Sequence, residues 1–121
     1  MEKEEVRVVI VEDDDDIREL LTTLIELDGY LVRSVPDGET ALALVAEFRP
    51  ACVLVDLTLP GIDGAEVTRQ LRAEIGTELV IIAVTGTPST SEHERLEAAG
   101  VDFVLAKPLA ENELRRFLPP L

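Results

Sequence analysis

Ala51–Asp56 (ACVLVD), followed at once by Leu57–Gly64 (LTLPGIDG), is the stretch that decides the fold. An apolar run of this length between turn residues predicts a strand buried on both faces of a parallel sheet. Asp56 ends that strand, and in open parallel sheets ligands bind just beyond the carboxyl ends of the strands. An Asx turn, in which the carboxylate accepts a hydrogen bond from the backbone two residues on, explains the same residue without any ligand. The residues at the ends of the other strands are needed to choose between a ligand-binding role and a simple turn.

The rest of the chain alternates between apolar runs and segments with helical periodicity. Strands are predicted over Val6–Val11, Tyr30–Val35, Ala51–Asp56, Leu79–Val84 and Phe103–Ala106. Helices are predicted from Ile17 to about Asp28, over Thr40–Phe48, from about Ala65 to Ile75, over Glu92–Ala99 and over Ala110–Leu118. Because right-handed crossovers place a helix after each strand, this order predicts an α/β fold with a doubly wound, five-stranded parallel sheet.

Size and charge narrow the class of protein. The 121 residues suffice for one domain, with a core expected over about residues 6–118. A formal charge of −14 argues against a nucleic-acid or anionic-membrane surface. We expect no signal peptide and no membrane span, since only a short apolar run follows the charged amino terminus. The single cysteine, Cys52, excludes an internal disulfide, is expected to be a small buried hydrophobe and fits a reducing cytoplasm.

Chemically useful side chains follow four of the predicted strands. They are Glu12 and Asp13, Asp56, Thr85 and Lys107. Since parallel strands end at one edge of the sheet, we expect these groups to converge. Carboxylates held close together repel one another unless a cation intervenes, and hard oxygen ligands suit Mg²⁺ or Mn²⁺. A phosphoryl group could then be oriented there, with the ammonium and hydroxyl as donors and Asp56 as the nucleophile.

Each polar residue also has a simpler explanation. Helix capping and the helix dipole explain Asp14–Asp16. Capping explains Glu12 and Asp13 less well, because these two acids precede the helix. Thr85 is compatible with an ordinary turn, Lys107 with a surface lysine, and His93 with a solvated helix position. Four such coincidences at one edge of a sheet are a poor explanation, and the site hypothesis is therefore preferred.

The ordered set of motifs resembles the receiver domain of two-component response regulators, from Arg7 to Leu118. The motifs are Glu12–Asp13, Val55–Asp56, Leu59–Gly64, Ile82–Gly86, Ala99–Asp102 and Lys107–Pro108. The resemblance implies that residues 1–121 form a single receiver domain. It also implies a flavodoxin-like sheet of order 2-1-3-4-5.

The resemblance implies a specific chemistry. Asp56 would accept a phosphoryl group from the phosphohistidine of a histidine kinase or histidine phosphotransfer protein. Asp13 and Asp56 would bind Mg²⁺, with Mn²⁺ as a substitute, together with the backbone carbonyl of Thr58, and Glu12 would act through bound water. Such a protein is a phosphoacceptor that assists its own phosphorylation and dephosphorylation, and is not an enzyme acting on a separate substrate.

Further roles follow from the same resemblance. Thr85 and Lys107 would bind the phosphoryl oxygens, and the bond from Lys107 to Pro108 is the expected place for a cis peptide. Thr58 and Thr87, each two residues after a key site residue, would tune the lifetime of the phosphorylated state.

Two positions depart from the family pattern. The switch position, three residues before Lys107, usually holds Tyr or Phe but is Val104 here, and strand alternation should point the adjacent Phe103 to the opposite face. The last helix is short, which argues against the common mode of dimerisation and favours a monomer or a weak dimer. The downstream protein target stays open, as does whether the domain is free-standing or belongs to a hybrid sensor kinase.

Two other functions compete with this one. A phosphohydrolase of the haloacid dehalogenase kind also uses a strand-end Asp nucleophile with Mg²⁺, but normally has a second Asp where this chain has Thr58. A receiver fold can also serve as a binding module that works without phosphorylation, although the complete set of acids, Thr and Lys argues against that role.

Overall fold

The structure is a computed structural model that describes residues 5–86 and 89–121. Within these residues, five strands alternate with five helices. The strands are β1 Arg7–Val11, β2 Leu31–Val35, β3 Cys52–Asp56, β4 Val80–Thr85 and β5 Phe103–Ala106. The helices are α1 Asp15–Leu27, α2 Gly38–Phe48, α3 Gly64–Ile75, α4 Thr90–Ala99 and α5 Glu111–Phe117. The strands are all parallel and lie in the order β2-β1-β3-β4-β5, which confirms the predicted α/β fold.

The two faces of the sheet bury two separate apolar clusters, because alternate residues of a strand point to opposite faces. On one face, Val9 and Val53 pack with residues of α2, α3 and α4, such as Leu96. On the other face, Ile10 and Leu54 pack with residues of α1 and α5. Since every residue of β3 is buried, this strand reads as a continuous apolar run rather than an alternating one.

Polar side chains cap the helices and set where they begin. Asp14 accepts hydrogen bonds from the backbone N–H groups of Asp16 and Ile17, each at 3.0 Å, so α1 begins at Asp15, two residues before the apolar periodicity. Asp15 and Asp16 lie in the first turn, where their charges complement the helix dipole. The capping interpretation of the acidic run is therefore confirmed.

The carboxyl-terminal helix is short and lies against both sheet and helix. Its Phe117 ring packs against the Phe103 ring at a tilt of 44°, with 4.7 Å between ring centroids. Arg115 donates two hydrogen bonds to Asp28 at the end of α1, at 2.7 and 2.8 Å. The Tyr30 hydroxyl donates to the Pro119 carbonyl, so the chain beyond α5 is fixed against the sheet.

Arg72 of α3 joins three parts of the fold that are distant in sequence. Its guanidinium donates to the carbonyls of Gly76 and Gly100, at 2.8 Å each, and to the carbonyl of Leu79. It also forms an ion pair with Asp102 at 2.6 Å. Since its side chain is only 15% exposed, these contacts tie the end of α3 to the approaches of β4 and β5 in a largely dehydrated setting.

Cys52 lies in the apolar layer under α1 and is fully buried. Burial, with a smaller effect from the charge of Asp102, raises the pKa of its thiol to about 12. The prediction of a small buried hydrophobe is confirmed. No helix in the parts of the chain that are described has the length and apolar character needed to cross a membrane.

Candidate functional site

Three carboxylates meet at the carboxyl end of the sheet. Val11 of β1 pairs with Val55 of β3, so Glu12 and Asp13, which follow β1, lie near the level of Asp56, which ends β3. One oxygen from each of the three carboxylates lies within 4.8 Å of the others. Glu12 and Asp56 are buried, at 3% and 6% exposure, whereas Asp13 is exposed. The cluster thus has a closed interior side and one side open to solvent.

Lys107 supplies the positive charge of the site. Its ammonium donates to Asp56 Oδ2 at 2.7 Å and to Glu12 Oε1 at 3.1 Å. The residue follows β5, its backbone N–H donates to the Thr85 carbonyl at 2.9 Å, and its peptide bond to Pro108 is cis, as expected. The side chain therefore turns toward the carboxylates and does not extend into solvent as a surface lysine would.

Burial and the neighbouring charges together change the protonation of the site. Burial, followed by the hydrogen bond and charge of Asp56, raises the pKa of Glu12 to about 7. Burial alone would lower the pKa of Lys107, but its hydrogen bonds to Asp56 and Glu12 raise it overall. Lys107 therefore stays cationic at neutral pH, while Glu12 is divided between its acid and carboxylate forms.

Both oxygens of Asp56 have hydrogen-bond partners in the protein. Oδ2 receives the Lys107 ammonium, and Oδ1 accepts a 3.1 Å hydrogen bond from the backbone N–H of Thr58. The second contact is the Asx turn considered above, so the turn and the carboxylate cluster coexist in one residue. The Thr58 side chain is exposed beside them on the loop after β3.

Gly64 allows this loop to approach the end of β3. A Cβ atom placed on Gly64 would lie 2.5 Å from the Asp56 carbonyl oxygen and 2.9 Å from the Leu57 Cα. Backbone atoms on both sides cannot move aside as a side chain would. Only glycine therefore fits here, and it lets α3 begin directly against the acidic site.

Thr85 ends β4 beside the cluster and is 3% exposed. Its hydroxyl donates to Glu92 Oε2 in the first turn of α4, at 3.3 Å. Sequence reasoning placed Glu92 only on a polar helix and missed this contact. A glutamate in the first turn of the next helix was the available signal, but helix periodicity gives no side-chain direction. Thr87 lies outside the described residues.

Val104 and Phe103 take the two opposite faces of β5. Val104 is half-buried and packs against the apolar cluster under α2, α3 and α4. Phe103 is 38% exposed and packs against Phe117 of α5 on the other side of the sheet. The predicted alternation therefore holds, and Phe103 does not lie on the face of the sheet that Val104 occupies.

An apolar groove adjoins the acidic site, with a volume of about 450 Å³. Glu12, Asp56 and Lys107 form its polar end, and side chains of α1 form much of its wall, among them Ile17 and Leu20. These two apolar residues are exposed, at 38% and 58%. The apolar periodicity of α1 predicts a helix but does not show which of its apolar residues stay uncovered, so the groove was not predicted.

Comparison with known proteins connects this geometry to a family. The family model for the response regulator receiver domain matches residues 8–118. The response regulator MprA of Mycolicibacterium vanbaalenii is 42% identical over 109 residues, which are 90% of this chain and 47% of that protein. MprA of Mycobacterium tuberculosis is 40% identical over the same shares of the two chains. The chain thus spans about half the length of these curated relatives.

Solved structures agree with this assignment. A response regulator receiver domain protein from Methanospirillum hungatei superposes with a TM-score of 0.88 at 26% identity, covering 93% of this chain and 90% of that one. The receiver domain of a sensor histidine kinase from Pseudomonas aeruginosa gives a TM-score of 0.84 at 32% identity and covers 93% of both chains. By sequence, topology and the arrangement of its acidic site, this chain belongs to the response regulator receiver domain family.

Proposed function

We propose that Asp56 accepts a phosphoryl group from a phosphohistidine, donated by a histidine kinase or a histidine phosphotransfer protein. The observation that carries this proposal is the position of Asp56. Its carboxylate is buried at a strand end, lies 2.7 Å from the Lys107 ammonium and shares one cluster with two further carboxylates. A carboxylate attacks phosphorus without first losing a proton, so no separate base is needed.

The donor set fits a hard divalent cation. Three carboxylate oxygens lie within 4.8 Å of one another. Burial raises the pKa of Glu12 to about 7, and the hydrogen bond and charge of Asp56 add to this effect. Asp13 and Asp56 would hold Mg²⁺, or Mn²⁺ in its place, with the Thr58 carbonyl, and Glu12 would act through water. When bound, the ion supplies charge neutralisation for the phosphoryl oxygens. The Pseudomonas aeruginosa receiver is described with a magnesium ion in its active site cleft.

Side chains of the protein carry out the transfer itself and bind the phosphoryl oxygens. One Asp56 oxygen forms the new bond to phosphorus as the bond from phosphorus to the histidine nitrogen breaks, and the imidazole keeps that electron pair. The Lys107 ammonium, which donates a hydrogen bond to Asp56, would donate to the phosphoryl oxygens after transfer. The Thr85 hydroxyl would also donate to these oxygens. We further propose that Thr58 and Thr87 tune the lifetime of the product and that Val104 occupies the switch position.

The groove along α1 suits the donor protein. A phosphohistidine must reach Asp56 from outside, and the groove leads from exposed Ile17 and Leu20 to the acidic cluster. We propose that helices of the donor protein pack against this apolar wall. A cytoplasmic location, which fits the single buried thiol, completes this part of the proposal.

The wider role of the protein is part of the proposal. Residues 1–121 would act as one receiver domain, either free-standing or within a longer response regulator or hybrid kinase. Its output would be contact with a downstream protein, as a monomer or weak dimer. The charge of −14 makes direct contact with nucleic acid unsuited to this domain.

Intact mass spectrometry after incubation with acetyl phosphate and Mg²⁺ tests the proposal. We expect a phosphate adduct on the wild type, none on Asp56→Asn, and a normal adduct on Asp15→Asn, which removes an exposed carboxylate nearby. Omission of Mg²⁺ should abolish the adduct. No adduct on the wild type, or an equal adduct on Asp56→Asn, would refute the proposal and favour a binding module.

A further inference from the structure

β2 is an outer strand of the sheet and keeps one row of backbone groups unpaired. Its partner in the strand order is β1, and the Leu31 N–H donates to the Val6 carbonyl at 3.0 Å. Because successive residues of a strand direct their backbone groups to opposite sides, the N–H and C=O groups of Val32 and Ser34 point away from β1. No backbone group in residues 5–86 or 89–121 pairs with this outward row. The edge is therefore open to a further strand.

Three exposed arginines near this edge have no carboxylate partner. The guanidinium groups of Arg7 in β1 and Arg33 in β2 lie over the Phe48 ring, at 5.4 and 4.5 Å from its centroid. Arg49 follows Phe48 at the end of α2. Within the described chain none of the three forms an ion pair with an Asp or Glu. Other arginines do form such pairs, namely Arg18, Arg69, Arg72, Arg95 and Arg115.

The charge balance of the protein makes this cluster distinctive. The chain has 25 acidic and 11 basic side chains, so most cations of the fold have an acid close by. Around Phe48 the positive charge is left uncompensated by ion pairs among the described residues. A partner that approaches the edge of β2 there meets cations, although the protein as a whole would repel an acidic molecule.

One face of β2 presents an alternating pattern along the edge. Leu31, Arg33 and Val35 share this face, since alternate side chains of a strand lie on the same side. Leu31 is 37% exposed, Arg33 is exposed and Val35 is half-buried. An added strand would thus meet an apolar residue, a cation and a second apolar residue in succession.

A second copy of this chain is a poor partner for the edge. In antiparallel pairing about a two-fold axis, the register that pairs all of Leu31–Val35 places the Arg33 residues of the two copies opposite each other. Like charges directly opposite destabilise a strand pair. Registers that avoid this contact leave part of the strand unpaired. The charge of −14 on each copy adds further repulsion, so Arg33 protects the edge against self-association.

We propose that the outer edge of β2 binds an extended acidic segment of a partner protein as an additional strand of the sheet. An Asp or Glu of the segment would lie beside Arg33, with apolar residues beside Leu31 and Val35. Backbone hydrogen bonds to Val32 and Ser34 supply affinity, and the alternate side chains supply specificity. This contact does not depend on phosphorylation of Asp56.

NMR titration of ¹⁵N-labelled protein with two capped peptides measures this preference. One peptide is acetyl-Thr-Val-Thr-Glu-Thr-Val-Thr-amide, and the other has Lys in place of Glu. In EDTA, without any phosphoryl donor, the Glu peptide should shift the amide signals of Val32 and Ser34. It should bind at least about fivefold more tightly than the Lys peptide. Equal affinities, or shifts that leave β2 unaffected, would overturn the inference.

Charge reversal at the centre of the strand provides a sharper comparison. Arg33→Glu should invert the preference, so that the Lys peptide binds about fivefold more tightly than the Glu peptide. Arg116→Glu is the matched control, because Arg116 is also exposed and also lies over a phenylalanine ring, 5.9 Å from the Phe117 centroid. It should leave both affinities within about twofold of the wild type. No inversion in Arg33→Glu, or an equal effect of Arg116→Glu, would contradict the proposal.

Ser34→Pro tests the backbone contact. Proline removes the outward N–H without removing a bond to β1, and edge strands accept it where that N–H faces solvent. The Glu peptide should bind at least about fivefold more weakly to Ser34→Pro than to Ser34→Ala. Unchanged binding to Ser34→Pro, shown by circular dichroism to be folded, would exclude strand addition. The Arg33→Glu comparison decides alone if Ser34→Pro does not fold, and neither result bears on phosphorylation of Asp56.

Discussion

Glu12→Gln should make the metal-free protein more stable at alkaline pH. The folded protein raises the pKa of Glu12 from its usual 4.5 to about 7. The folded state therefore holds this proton more tightly than the unfolded state does. Any stability associated with the proton is fully present below pH 4.5 and is lost as the pH rises through about 7.

The size of the effect follows from the same two values. Each pKa unit corresponds to about 1.4 kcal/mol, so the difference between 4.5 and about 7 sets an upper value of about 3.5 kcal/mol. Asp56 and Lys107 share the interaction with Glu12 and will adjust when it changes. We therefore expect Glu12→Gln to raise the free energy of unfolding by about 2 kcal/mol at pH 8 and by much less at pH 5.

Urea unfolding followed by circular dichroism, in EDTA at both pH values, measures the effect. Glu19→Gln is the matched control, since it neutralises an exposed glutamate of α1 and should change stability by less than about 0.5 kcal/mol at either pH. A variant that is less stable than the wild type at pH 8, or a gain that does not shrink on acidification, would refute the reasoning. Such a result would mean that the charge of Glu12 stabilises the folded protein even without a cation.

Two other changes test the framework and the groove. Arg72→Met should lower the free energy of unfolding, measured by urea titration, by about 3 kcal/mol, because three carbonyls and Asp102 lose a hydrogen-bond donor. Arg69→Met, which changes an exposed arginine, should lower it by less than about 0.5 kcal/mol. Equal effects would show that the contacts of Arg72 do not stabilise the fold. For a histidine phosphotransfer protein that phosphorylates the wild type, Leu20→Asp should slow phosphotransfer by at least tenfold. The same variant should leave labelling by acetyl phosphate unchanged. Equal slowing with both donors would show that the groove is not part of the docking surface.

The strands and the meeting point of the site residues were predictable because they depend on local features. The apolar run before Asp56 and the alternation of element types imply a parallel sheet, and parallel strands bring Glu12, Asp56 and Lys107 to one edge. The strand order itself came from family resemblance, since apolar runs do not state which strand lies beside which. Element ends shifted by one or two residues where caps decide, as at Asp14.

What sequence reasoning missed depends on side-chain direction. The contacts of Arg72 reach Gly100 and Asp102, across segments whose approach is set only by the folded chain. Glu92 and the groove beside Leu20 were missed for the same reason, because periodicity shows which face of a helix is apolar but not which part stays uncovered.

The buried thiol of Cys52 has a practical consequence for site-specific labelling of this protein. With a pKa of about 12 and a fully buried side chain, it offers almost no thiolate to maleimides or other alkylating reagents at neutral pH. A cysteine introduced at an exposed position such as Glu94 would react alone. A spin label or fluorophore could therefore report on α4 in an otherwise native background, without first replacing Cys52.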